Sequence, residues 1–226
     1  MTEASRPSAV NELADAVWEG YLELSPLTAT IYGDVRFDDR LPDPSPAGRA
    51  AALALAERTL RAATAIPEAG LGDEERITRD MLRVATTIRL EELGQRFDIL
   101  GAVDQMNGAQ TLLPELALYQ PADTPERFER LLARVRAYPG FLAAVGELAR
   151  EGVATGLVQP RIIVERVVGQ IERLLAIPVE EHPLVAVTRV AGAGEREQLA
   201  GLLRDLVRPA ETAYLAVVRD EVLPVA

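Results

Sequence analysis

Residues 124–148 read T-P-E-R-F-E-R-L-L-A-R-V-R-A-Y-P-G-F-L-A-A-V-G-E-L, and this stretch decides the fold class. Thr124 followed by Pro125 is a helix start: threonine satisfies a free N–H of the first turn, and proline there gives up no bond. Phe128, Leu131, Leu132 and Val135 then recur at the spacing of one buried helical face. Tyr138-Pro139 predicts a break, because proline lacks the N–H and its ring crowds the preceding turn. Phe141, Leu142, Val145 and Leu148 predict a further helix, which Gly152 and Gly156 end.

The same pattern extends outward in both directions. Ser8 predicts a cap for a helix over Ala9–Leu24, with Val10, Leu13, Ala14, Val17, Trp18, Tyr21 and Leu22 inward. Ser25-Pro26 starts a short helix that Gly33 stops. Residues 34–44 carry four Asp and few apolar groups, which predicts a solvated loop; the alternate-oxygen spacing of a calcium loop is missing. Ser45-Pro46 opens a helix to about Ile66, and Asp73 caps another to about Phe97. In that second helix Ile77, Met81, Val84, Ala85, Ile88 and Leu93 should face inward, and Arg76, Arg79, Arg83 and Glu91 outward. The short connection predicts that the two pack antiparallel. Pro160 begins a helix with Ile163, Val167, Ile171, Leu174 and Leu175 on one face. From Glu195 a last helix runs through Leu199, Leu202, Leu203 and Leu206, is kinked at Pro209, and continues through Tyr214, Leu215, Val218 and Val222. No strand-like alternation interrupts this pattern. The expectation is an all-α bundle of about eight helices, one domain over 1–226, with helices over 1–100 and 124–226 and an irregular connection over 101–123.

Composition bounds the function. With 226 residues, 48% of them apolar, the chain can bury a substantial core. Its formal charge of −11 opposes binding to a phosphate backbone, so no nucleic-acid partner is expected. All 24 basic residues are Arg, a bias typical of high-GC bacterial genomes. Cys is absent, which removes thiolate nucleophiles and Cys-ligated metal sites. The polar opening M-T-E-A-S-R-P-S lacks the apolar run of a signal peptide, and no stretch is long enough for a membrane span. A cytoplasmic location and no membrane partner are therefore expected. His182 is the only histidine, so His-Glu-x-x-His zinc sites, His-assisted serine triads and di-iron bundles cannot be built. In E-E-H-P it should be a partly exposed loop residue.

One stretch departs from helix construction. V-D-Q-M-N-G-A-Q at 103–110 places Asp104, Gln105, Asn107 and Gln110 among apolar residues, where each amide must find a partner. With Tyr119 these are the candidate cleft-lining residues, fit to position a peptide or other polar ligand. The alternative is structural: amides satisfy the loose backbone of a turn. No catalytic or metal-ligating residue is assigned.

P-L-T-A-T-I-Y-G-D-V-R-F-D-D-R-L-P-D-P-S, D-Q-M-N-G-A-Q, the 124–141 helix and G-V-A-T-G-L-V-Q-P-R, in this order, resemble the N-terminal half of the bacterial domain-of-unknown-function 885 family. The resemblance implies relatives similar to zinc metallopeptidases, largely helical and more than twice this length. Their zinc motif, a His-Glu followed by a Gly-His-His, lies in a C-terminal half that has no counterpart here. It thus implies a non-catalytic helical part of a hydrolase, forming part of a substrate cleft, with zinc only in full-length relatives. The partners it implies are the missing C-terminal half or a second copy, and a peptide substrate. The alternative is a stand-alone helical binding or scaffold protein.

Overall fold

The computed structural model describes residues 8–226. The polar opening through Pro7 lies outside them. The helices follow the chain as α1 (Ala9–Leu24), α2 (Pro26–Ile31), α3 (Pro46–Ala65), α4 (Asp73–Gly94), α5 (Phe97–Gly101), α6 (Ala109–Tyr119), α7 (Pro125–Thr155), α8 (Arg161–Ala176), α9 (Pro183–Ala186), α10 (Ala193–Leu202) and α11 (Arg208–Ala216). Short 3₁₀ turns lie at Val35–Phe37 and Val179–Glu181, and π-helical turns at Leu203–Val207 and Val217–Val222. Among the described residues the all-α class holds, with one isolated bridge between Ala122 and Val190. The stretch 101–123, expected to be irregular, contains α6.

The chain forms two compact units. The first joins residues through Leu24 to Pro46–Arg96; the second joins Ser25–Ser45 to Phe97–Ala226.

In the first unit, Ser8 caps α1 as expected: its hydroxyl accepts from Asn11 N–H. Arg49, in the first turn of α3, donates to the Leu93 carbonyl in the last turn of α4. At the other end Arg79 reaches the Ile66 carbonyl beyond α3. The two helices therefore run antiparallel, as the short link demands. The inward face of α4 is not the expected one. Arg79, Thr86 and Leu93, spaced by seven, are buried, while Ile77, Met81, Val84 and Ile88 are each more than half exposed. The reason is Arg79: its guanidinium is occupied by Asp80, Glu68 and the Ile66 carbonyl, which lets a cation expected to face outward sit on the buried face. Trp18 and Tyr21, also expected inward, are largely exposed and stack on each other with centroids 5.8 Å apart.

The second unit is built on α7. Leu131, Leu132, Val135, Tyr138 and Leu142 are buried against Leu113, Val164, Val167, Leu203 and Val218. The break expected at Pro139 does not occur, and α7 runs without interruption from Pro125 to Thr155. Interior proline costs about 3 kcal/mol, whereas burying each large apolar side chain yields about 1.5–3 kcal/mol. The apolar residues on either side of Pro139 outweigh it. Helix α7 ends at Gly156, whose φ of 74° a residue with a Cβ adopts only under strain. Pro209 is accommodated differently: the wide π turn Leu203–Val207 directly precedes it, so the chain stays helical where its N–H is missing.

Residues 34–44 are less solvated than expected, because Phe37 and Asp38 are buried. Their anchor is Arg134 of α7, which is 0% exposed. Its Nε donates to the Arg40 carbonyl, one terminal nitrogen to Thr30 Oγ1 and Gln120 Oε1, and the other to the Phe37 and Pro26 carbonyls. Gln120 in turn donates to the Asp38 carbonyl. Arg134, with Gln120 on the Asp38 carbonyl and Arg130 on the Val35 carbonyl, thus fastens the 25–45 excursion to the rest of the second unit.

Candidate functional site

The turn before α6 is where the amides of the sequence meet. Asp104 Oδ1 accepts from the N–H groups of Met106 and Asn107, both at 2.7 Å, the self-bonded turn that Asp favours. Gly108 is required by contact: a Cβ there would lie 2.1 Å from the Asp104 carbonyl oxygen. Gln110, only 2% exposed, donates to that carbonyl at 2.7 Å and to Gln170 Oε1 at 2.8 Å. Gln170 donates to the Gln105 carbonyl at 2.9 Å, and Arg166 donates to Gln105 Oε1 at 2.8 Å. A chain of three amides thereby ties the turn to α8 and holds the Arg166 guanidinium in place.

Of the five expected residues, Asp104, Gln105 and Gln110 are brought together. Asn107 joins the turn through its backbone and is exposed. Tyr119 is half exposed at the far end of α6, about 14 Å along the helix from Gln110, and takes no part. What the sequence reading missed is the α8 side. A groove of about 470 Å³ is lined by Ile162, Glu165, Arg166, Gly169, Gln170 and Arg173. The available signal was Gly169-Gln170, a helix-weakening residue and an amide inside an otherwise regular amphipathic helix. The lining groups are donors, a carboxylate and one aliphatic side chain, an inventory suited to binding and orienting a polar ligand.

A second polar cluster is buried near α11. His182, expected to be partly exposed, is 1% exposed. Its Nδ1 accepts from Leu184 N–H and its Nε2 has no partner among the described residues. Burial, with the Arg208 cation adding to it, pushes its pKa down to about 4. Glu211 is 2% exposed with both carboxylate oxygens unpartnered. Burial pushes its pKa up to about 7, with Arg208 opposing. Arg208 gives one terminal nitrogen to the Ile177 carbonyl while its Nε stays unpartnered. The zinc that the family resemblance implies for longer relatives does not fit this chain. Its one histidine already uses Nδ1 and sits under a guanidinium's field, and among the described residues no three His, Asp or Glu groups are placed to hold a metal.

A family model described as bacterial protein of unknown function (DUF885) matches residues 26–226. The chain belongs to the DUF885 family. No curated protein matches this DUF885 sequence. Among solved structures it is similar to a Colwellia psychrerythraea protein that carries the name of a lipoprotein, with a TM-score of 0.76 at 18% identity. That likeness covers 97% of this DUF885 chain and 42% of the Colwellia chain, so the chain spans less than half of that protein. At this identity the likeness establishes a shared helical fold. Among its described residues, no helix of the DUF885 chain is long and apolar enough to cross a membrane.

Proposed function

We propose that this DUF885 chain is a non-catalytic helical region of a larger metallopeptidase-like hydrolase, and that the α8 groove is part of the wall that holds a peptide substrate. The observation that carries the reading is the chain Gln110–Gln170–Gln105–Arg166. It spends three amides on fixing one guanidinium at a groove. Such pre-organisation lowers the entropy lost on binding. The greater length of the solved relative supports the idea of a companion region. On this reading that companion also covers the exposed Ile77, Met81, Val84 and Ile88 stripe of α4.

The tests are direct. The isolated chain should bind short peptides without turning them over; stoichiometric zinc together with turnover would reject the proposal. In sedimentation it should expose dye-binding apolar surface or self-associate to hide it. A monodisperse monomer that binds no hydrophobic dye would instead favour a stand-alone scaffold.

A further inference from the structure

The groove on α8 holds more positive charge than its surroundings neutralise. Glu165, its one carboxylate, lies 4.0 Å from Arg161. Arg166 has a neutral partner, the Gln105 amide oxygen. Arg173 lies over the bare helix backbone at Gly169, where a Cβ would come within 3.3 Å of its Nη1. Helical side chains lean toward the N-terminus, so Arg173 leans toward the turn that carries Arg166. Among the described residues neither guanidinium has a carboxylate within ion-pair range, in a chain whose formal charge is −11. Most of the other arginines among the described residues do have such partners, as Arg127, Arg150 and Arg219 show.

We propose that the groove is an oxyanion site in which Arg166 and Arg173 clasp a carboxylate or phosphoryl group over Gly169. Guanidinium groups suit this because their paired N–H donors match the two oxygens of such a group. Arg166 is held in advance by Gln105, and the bare backbone of Gly169 lets the Arg173 guanidinium lie close against the helix, where a Cβ would displace it. Ile162, exposed at the N-terminal end of the groove, offers an apolar contact to the rest of the ligand. The inference rests on the groove being the binding wall proposed above and names the chemical group it takes.

Calorimetry on the full chain tests it with three probes: N-acetylated tetra-alanine with a free C-terminal carboxylate, the same peptide amidated, and inorganic phosphate. The free acid should bind at least tenfold more tightly than the amide, and Arg173→Met should remove that preference. Displacement of the acid by phosphate would support a general oxyanion site, and its failure a carboxylate-specific one. Phosphate binding without acid binding would identify a phosphoryl ligand. Gly169→Ala supplies the control for folding: alanine favours the helix, so the variant should melt higher while binding the acid several-fold more weakly. Equal binding of acid and amide would overturn the oxyanion assignment and leave the groove as a peptide wall. Binding of no probe would overturn both.

Discussion

Arg134 and the His182–Arg208–Glu211 cluster are both buried charge in the same unit, and they are satisfied in opposite ways. Every nitrogen of Arg134 that can donate has an oxygen to meet, and burial moves its pKa down only to about 10, so it stays charged at neutral pH. Glu211 meets no donor, and its pKa rises to about 7. Burial by itself therefore does not separate a structural charge from a poised one. Removing a charge from water costs several kcal/mol per ion, and what matters is whether the protein replaces the lost hydration bonds. At Arg134 it replaces them with backbone carbonyls, whose positions depend on the guanidinium in return.

The largest effect should come from breaking the satisfied member. Arg134→Met strands the carbonyls of Pro26, Phe37 and Arg40 and should cost about 3–5 kcal/mol in urea unfolding, with amide-exchange protection lost over residues 25–45. A cost below about 1 kcal/mol would show that the Arg134 clasp is not what secures residues 25–45.

The unsatisfied member should respond with the opposite sign. Glu211 ionises near pH 4.5 when unfolded and near 7 when folded, so folding favours its proton. Its contribution is complete below pH 4.5 and is lost as pH rises toward 7, about 1.4 kcal/mol per unit. Glu211→Gln should therefore stabilise the protein at pH 8 by about 3 kcal/mol. His182 runs the other way: folding depresses its pKa to about 4, so its contribution is complete above pH 6.5 and is lost as pH falls toward 4. Between pH 4.5 and 6.5 the two slopes offset. His182→Gln should expose a stability that falls as pH rises through that window, and Glu211→Gln one that rises. Thermal melts across the window check the signs, and parallel profiles for all three proteins would show that the pair does not titrate as described.

The smallest effect sharpens the satisfied side. Thr30→Val removes one of several acceptors of Arg134 and also the hydroxyl that donates to the buried Asp38 carboxylate, and should cost about 1–2 kcal/mol, since the carbonyls of Phe37 and Arg40 remain for the guanidinium. A loss comparable to that of Arg134→Met would mean that the network is cooperative rather than redundant.

Much of the helical framework was legible in the sequence, because caps are local. Ser8, Ser25-Pro26, Thr124-Pro125 and Pro160 each mark a helix start within a residue of where it lies. The misreadings share a cause, which is dependence on distant residues. The buried face of α4 turns on Arg79 finding Glu68 and the Ile66 carbonyl, and periodicity cannot register that a cation has found partners. Pro139 persists in α7 because of packing from other helices, and His182, 1% exposed, feels Arg208, 26 residues further along the chain. The site divides in the same way. The Asp104 turn and the unmet amide of Gln110 were visible as chemistry out of place. Arg166 carried no such signal, because only the turn at 104–108, folded against α8 from 61 residues away, gives it a partner.

The Arg134 clasp also has a consequence in time. Its bonds to Pro26, Phe37 and Arg40 span 108, 97 and 94 residues. A ribosome adding about 5–20 residues per second exposes the 25–45 segment for roughly 5–20 s before the guanidinium that fastens it has been made. Meanwhile α1, α3 and α4 are complete and free to pair. The first unit can thus assemble before the 25–45 segment is anchored, and the second closes only when α7 arrives to claim that segment.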